Sequence, residues 1–199
     1  RHTRSMWVSW ARMCIRDRVM TPLGWDGVMS LLVGSSRDVG ELLVHDRRIP
    51  LVSATGSCNM GRKIGEVVAK RLGRSLLELG GNNAIIVMPD SDPELVLRAV
   101  LFGAVGTSGQ RCTSTRRLFL HKSISSSIIG KLVASYSQIK IGNPLNSDTI
   151  VGPLVDKTAV QDYSDALDII KKENGEIIYG GNVIQADGFY VEHTLVKAN

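Results

Sequence analysis

With 199 residues, 43% of them hydrophobic and 22% charged, the chain can hold one domain or two small ones around a sizeable core. Its net charge is +5, but Arg1, Arg4, Arg12, Arg16 and Arg18 against Asp17 place +4 of this in the first eighteen residues, so the body lacks the clustered basic surface that nucleic-acid binding needs. Three widely spaced cysteines without C-x-x-C, four scattered histidines (His2, His45, His121 and His193) and no apolar run of about eighteen residues argue against a disulfide framework, a metal site and a membrane span.

Residues 1–18 are arginine-rich, nearly free of acids and carry Trp7 and Trp10, which superficially suits a mitochondrial transit peptide. Met13-Cys14-Ile15-Arg16-Asp17-Arg18 reads instead as an artefactual tail, and fold reasoning starts after it. The apolar run from Val28 to Val33, closed by Gly34, predicts a strand, and Ser35 or Ser36 then caps a helix with Val39, Leu42 and Leu43 at helical spacing. Pro50 and Leu51-Val52 open a second strand. It runs into Thr55-Gly56-Ser57-Cys58-Asn59-Met60-Gly61 and a helix with Ile64, Val67, Val68 and Leu72 on one face and Gly73 as its C-cap.

A glycine turn between strand and helix aims backbone N–H groups and the positive helix end at an anion, usually a phosphate. Gly56 and Gly61 almost spell a P-loop, but Arg62-Lys63 stand where Lys followed by Ser or Thr is required, which disfavours a nucleoside triphosphatase. Leu76-Leu77-Glu78-Leu79-Gly80-Gly81-Asn82-Asn83 then sets one carboxylate in an apolar strand that stops at two glycines. Buried without a cation, such a carboxylate has a raised pKa and exchanges protons near neutral pH, as a general base must; the alternative is an ion pair or an exposed edge position.

Ala84 to Met88 predicts a buried strand, and Asp92-Pro93-Glu94 starts a helix through Leu97, Val100 and Leu101. Gly106-Thr107-Ser108-Gly109-Gln110-Arg111-Cys112-Thr113 follows, a small-residue loop with one cysteine beside a cation. A neighbouring cation lowers a thiol pKa towards neutrality, and glycines let the backbone approach a ligand closely. An inert core thiol is the alternative. Arg117 to Leu120 reads as a strand, and Ser123 to Ile139 as a helix with Ile124, Ile128, Leu132 and Val133 inward. After a polar loop from Gly142 to Pro153, Asp156 caps a helix with Ala159, Leu167 and Ile170 inward, stopped by Gly175. Glu176 to Tyr179 and Phe189 to Val191 read as strands separated by Gly180-Gly181, and the alternation of strands with helices predicts an α/β fold with mostly parallel sheets.

Glu78 and Cys112 lie 34 positions apart, and at that spacing E-L-G-G-x-N and G-Q-x-C make the chain resemble the aldehyde dehydrogenase superfamily. Leu76 to Asn83, Gly109 to Arg117 and Gly180-Gly181 look most like its antiquitin branch, the α-aminoadipic semialdehyde (piperidine-6-carboxylate) dehydrogenases, over about Val28 to Asn199. The resemblance implies the later part of a Rossmann-type NAD-binding domain over 19–79 and the first part of an α/β catalytic domain over 80–199. It assigns Cys112 as nucleophile, Glu78 as the base that activates water, and the backbone N–H of Cys112 as an oxyanion donor. Gly56, Ser57 and Gly61 would match a G-S-T-x-x-G turn on the NAD pyrophosphate, with Cys58 in place of the threonine, and Leu79 and Gly80 would also face the cofactor. Arg111, Gly109 and Thr113 would line the substrate mouth, Arg111 reading a carboxylate, with an acid partner or solvent as its alternatives.

The family's second oxyanion donor, an asparagine, and its ribose-holding lysine belong upstream of this sequence; its E-x-F-G-P glutamate and oligomerisation strand belong downstream. The expectation is therefore an internal segment of a cytoplasmic, homotetrameric enzyme that oxidises an amino-acid semialdehyde with NAD in lysine catabolism. On its own the segment is expected to be inactive, and a non-catalytic remnant of the same fold is the alternative.

Overall fold

The computed structural model describes residues 19–25, 28 and 32–198, so the tail expected over 1–18 lies outside the described residues, as do 29–31 of the first expected strand. Leu32 and Val33, at the end of that stretch, take no strand conformation. The chain divides into two compact units, Arg1–Glu78 and Leu79–Asn199.

In the first unit Ser35 Oγ accepts the N–H of Asp38 at 3.2 Å, capping a π-helical turn over Ser36–Gly40 that passes directly into α1, Glu41–His45. Strand β1, Leu51–Gly56, pairs with β2, Arg74–Leu79, and helix α2, Cys58–Lys70, lies between them in sequence. Arg71, just past α2, ties the connection together: its Nε donates to the Val44 carbonyl at 2.9 Å and its Nη1 to that of Ile49 at 2.7 Å.

The end of α2 differs from the expected glycine cap. Leu72 takes the left-handed position at φ 60°, its N–H bonding Ala69 O at 3.0 Å, and the N–H of Gly73 closes on Val68 O at 3.0 Å. This is a Schellman ending displaced by one residue. Gly73 is small because a Cβ there would press on Val68 and Arg71, at 3.0 and 2.9 Å.

The second unit is built on a strand-helix-strand motif. Strand β3, Asn83–Val87, runs parallel to β4, Thr115–Leu120, and between them comes α3, Pro93–Val100, with Asp92 Oδ1 accepting the N–H of Glu94 at 2.9 Å. The register pairs Ile85 with Leu118 and Val87 with Leu120 on the inward face. These pack with Val96, Leu97, Val100 and Val105, and with Ile128, Leu132 and Tyr136 of α4, Ser125–Tyr136. Alternation turns Ile86 and Phe119 outward, 72% and 51% exposed.

Asp156 caps α5, Lys157–Lys172, through its Oδ1 to the N–H of Ala159 at 2.9 Å, and α5 ends on the left-handed Asn174 with Gly175 N–H bonded to Ile170 O at 2.8 Å. Two expected strands appear as β5, Glu176–Tyr179, and β7, Tyr190–Val191, yet they do not pair with each other. Strand β5 pairs antiparallel with β8, Leu195–Lys197, and β7 pairs with β6, Val183–Ile184. Both partners are too short for an alternating pattern to mark them. The α/β expectation holds, with parallel pairing in β3–β4 and antiparallel pairing in these late ribbons.

Two predictions follow from this packing. Leu72 is 95% exposed, so Leu72→Gly removes a left-handed side chain at no burial cost and stabilises the first unit by about 1 kcal/mol in a urea melt. Tyr136 is 2% exposed, edge-on to Tyr179 and His193, and burial pushes its pKa up to about 12. The folded state therefore keeps the proton that the unfolded chain loses near pH 10. Between pH 10 and about 12 stability falls by up to about 1.4 kcal/mol per pH unit, and Tyr136→Phe flattens that slope.

Candidate active site

Between α3 and β4 the backbone enters a conformation that L-residues avoid. After a π-helical turn over Leu101–Val105, Thr107, Ser108 and Gly109 take φ values of 56°, 53° and 71° in succession. The left-handed region costs a non-glycine residue about 1–2 kcal/mol, and a β-branched residue such as Thr107 seldom enters it. Side-chain bonds to a later segment hold the turn. Ser108 Oγ donates to the Gly152 carbonyl at 2.7 Å, while Gln110 donates through Nε2 to Thr107 O at 3.3 Å and accepts the Val155 N–H on Oε1 at 2.9 Å.

Cys112 follows at the tip of a closed turn. The N–H of Arg111 donates to Ser114 Oγ at 3.1 Å, and the N–H of Ser114 returns to Arg111 O at 3.1 Å. Ser114 is 1% exposed, whereas Cys112 and Thr113 between the two bonds are exposed, and Cys112 forms no disulfide. The Cys112 N–H donates to no protein group among the described residues. Because β3 and β4 are parallel and Asn83 pairs with Thr115, the first residue of β3 lies beside this turn. Asn83 Nδ2 donates to Cys112 O at 2.6 Å and to Ser114 O at 3.1 Å.

Arg111 is half-buried and braced. Its guanidinium lies over the Phe102 ring, 4.5 Å from the centroid, and its Nη2 donates to the Phe102 carbonyl. Gly106 makes room for it, since a Cβ there would run into the guanidinium. The expected alternatives of an acid partner or open solvent are thus replaced by an aromatic face and a backbone oxygen. Downstream, Arg116 Nε reaches Gly81 O at 3.2 Å and Arg117 Nη2 reaches Asn82 O at 2.8 Å, fastening the segment before β3 to the start of β4.

In the first unit, Ser57 caps α2 through Oγ to the N–H of Met60 at 3.2 Å. A Cβ on Gly56 would meet only the flexible end of Met60, 2.7 Å from its Sδ, and Gly61 is buried with its N–H on Ser57 O at 2.9 Å. The N-terminus of a thirteen-residue helix directly after a strand is a fitting seat for a pyrophosphate. Arg62 and Lys63 are exposed one residue on.

Of the two readings of Glu78, a buried carboxylate and an ion pair or exposed edge position, the structure shows the exposed one. In β2 the half-buried positions are Leu77 and Leu79, so strand alternation places Glu78 on the exposed side. Gly80 is exposed, and Gly109 is half-buried. Glu78 closes the first unit, while Leu79, Gly80, Gly109, Arg111, Cys112 and Thr113 belong to the second. Among the described residues no group of three or more His, Cys, Asp or Glu could hold a metal ion, and no helix is long and apolar enough to cross a membrane.

Sequence reasoning quoted Asn83 as the last residue of the E-L-G-G-x-N signature without giving it a role, and it did not single out Ser114. The second asparagine of Asn82-Asn83 was visible, but only the parallel register brings it to the cysteine turn. Ser114 looks like one more small polar residue in a loop.

Comparison with known proteins places this geometry in context. The sequence profile of the aldehyde dehydrogenase family matches residues 15–198. The chain is 49% identical over 170 residues, 85% of its length, to a putative aldehyde dehydrogenase family 7 member A1 homolog of Dictyostelium discoideum, and 47% identical over the same extent to an alpha-aminoadipic semialdehyde dehydrogenase of Bos taurus. It spans about a third of these relatives, 33% and 32% of their lengths. Among solved structures, lactaldehyde dehydrogenase from Escherichia coli superposes with a TM-score of 0.81 at 31% identity, covering 83% of this chain and 35% of that one. Betaine aldehyde dehydrogenase from Staphylococcus aureus, solved with NAD+, gives 0.80 at 29% identity, covering 83% and 34%. The fold is part of the α/β aldehyde dehydrogenase fold.

The turn around Cys112 makes a further stability prediction. Ser114→Ala leaves the Arg111 N–H without its acceptor inside the fold and lowers stability of the second unit by about 1–3 kcal/mol. A denaturant melt followed by circular dichroism reads the shift, which Ser114→Thr, retaining the hydroxyl, should largely restore.

Proposed function

Since the chain belongs to the aldehyde dehydrogenase family, we propose that the protein it forms part of oxidises an aldehyde to a carboxylic acid with NAD, through a covalent bond to Cys112. The observation that carries this reading is the Arg111–Ser114 turn, whose flanking N–H groups are bonded while exposed Cys112 keeps its own N–H open.

In this reading the Cys112 thiolate attacks the aldehyde carbon, a carbon–sulfur bond forms, and the carbonyl electrons move to an oxygen that the Cys112 N–H receives. NAD+, when bound, supplies the acceptor for the hydride that leaves that carbon. Gly56, Ser57 and Gly61 would hold its pyrophosphate at the start of α2, and Leu79 and Gly80 are the cofactor-facing residues assigned in the second unit. The resulting thioester is hydrolysed by water. Glu78 takes the proton of that water, a new carbon–oxygen bond forms, and Cys112 departs as thiolate. The exposed Glu78 carboxylate is open to the water this step needs.

Gly109 and Thr113 flank Cys112 at the mouth of the site. Arg111 is the cation we assign to the carboxylate of the substrate, an amino-acid semialdehyde of the α-aminoadipic type. Supporting this are the relatives named for that substrate and a guanidinium already braced on Phe102, which loses less freedom on meeting a carboxylate. The intact protein in this reading is a cytoplasmic homotetramer serving lysine catabolism. The scattered cysteines suit a reducing compartment.

The test uses the intact protein that carries this segment, with NAD+ and the semialdehyde, following NADH. Cys112→Ser should abolish NADH formation. Glu78→Gln should retain a burst of about one NADH per subunit but lower the steady rate by about 100-fold or more, as expected when only deacylation loses its base. Full turnover by Cys112→Ser, or an unchanged steady rate in Glu78→Gln, overturns the respective role.

A further inference from the structure

The nucleophile turn has no regular element of its own to hold it. It is not part of α3, which ends at Val100, nor of β4, which begins at Thr115. Its two internal bonds join Arg111 to Ser114 and leave the peptide planes that carry the Cys112 and Ser114 carbonyl oxygens without a bond to those oxygens inside the turn. What meets those planes comes from a different strand. Asn83 Nδ2 donates to Cys112 O at 2.6 Å and to Ser114 O at 3.1 Å, one amide group bridging the carbonyls on either side of Thr113. Two acceptors on one side of the amide also settle its orientation, because a carbonyl cannot donate: the nitrogen must face the turn and the oxygen must face away. The oxygen faces Gly81, where a Cβ would stand 3.1 Å from Asn83 Oδ1.

We propose that Asn83 is a positioning residue for Cys112, its amide fixing the carbonyls of Cys112 and Ser114 so that the turn presents the thiol and the open Cys112 N–H in one arrangement. This rests on the reading of Cys112 as nucleophile. The structure supplies three supports that do not depend on that reading. The parallel register Asn83 with Thr115 puts the residue at the same sheet edge as the turn. The irregularity in that register, between Asn83 and Ala84, falls at this residue and nowhere else along the pair. The neighbouring clasps from Arg116 to Gly81 and from Arg117 to Asn82 hold the backbone that carries Asn83 against the segment after the turn. Asparagine suits the task because it offers two donor hydrogens from one nitrogen on a short side chain. Aspartate has the same shape and no donor, and its ionised oxygens would oppose both carbonyls.

A residue that acts through the nucleophile's geometry should change the rate of the bound complex more than its formation. The experiment uses the intact protein carrying this segment and compares wild type with Asn83→Ala, Asn83→Asp and Cys112→Ser. Both Asn83 variants should lower kcat by about 10-fold or more while KM for aldehyde and for NAD+ moves by less than about 3-fold. Hydrogen exchange read by mass spectrometry should show the peptide over 106–114 exchanging about 10-fold faster in both, with the peptide over 125–136 unchanged. That local change separates positioning from general destabilisation, and Asn83→Asp stands in if Asn83→Ala does not fold.

Equal kcat in wild type and both Asn83 variants, with turnover abolished by Cys112→Ser, overturns the proposal and leaves the nucleophile reading intact. Faster exchange throughout α4 also overturns it, since Asn83 would then serve the fold as a whole. Turnover that survives Cys112→Ser overturns the nucleophile reading, and the proposal with it.

Discussion

Parallel pairing of β3 with β4 is the constraint on which the cysteine site depends. Parallel strands begin at the same edge of a sheet, so the residue entering β3 and the loop entering β4 are brought together however far apart they stand in sequence. The crossover between them has to climb through α3 and return, and the return leg is where Cys112 sits. Inward packing of Ile85, Val87, Leu118 and Leu120 on α3 and α4 fixes the register, because a slip by one residue would turn those side chains out and bring Ile86 and Phe119 in. Hydrophobic burial on one face of a two-strand sheet thereby sets the geometry of polar groups at its edge.

The legible parts of the sequence were those with local causes. Asp92-Pro93-Glu94 and Asp156 marked helix starts because capping is decided within four residues, and both caps are present with side-chain bonds of 2.9 Å. Strands β1, β3 and β4 showed as apolar runs. The glycine turn into α2 was also readable, whereas the role of Ser57 as the helix cap comes from the structure. Less legible was anything set by a partner distant in sequence. Strands β6 and β8 have two and three residues and exist because β7 and β5 lie beside them. The end of α2 misled for a different reason: glycine was taken as the left-handed residue, whereas its role at Gly73 is close approach to Val68 and the left-handed position falls to Leu72.

The candidate site divides along the same line. Cys112 and its small-residue loop were visible, but the bonds that shape the loop come from Asn83, Gly152 and Val155, which no local pattern links to it. Glu78 was picked out by the apolar residues around it, and those same residues explain its exposure. In a strand with Leu77 and Leu79 on the packed side, the residue between them must face the other way. An apolar neighbourhood in sequence is thus a poor guide to burial for a strand residue, since neighbours and opposite faces alternate. Arg111 shows a further gap. Composition identified a cation beside the thiol, and only the fold reveals that Phe102 holds it by both its ring and its carbonyl.

The bonds from Ser108 to Gly152 and from Val155 to Gln110 span 44 and 45 residues. During synthesis the cysteine loop leaves the ribosome well before either partner exists, at a translation speed of about 5–20 residues per second. For some seconds its left-handed backbone is held only from within, by the two Gln110 bonds to Thr107 O. The loop acquires its final shape only after residue 155 has emerged and docked. A nascent chain therefore has the partners of the Cys112 turn itself before those of the stretch leading into it, and the timing of translation past residue 155 decides when Ser108 and Gln110 are anchored.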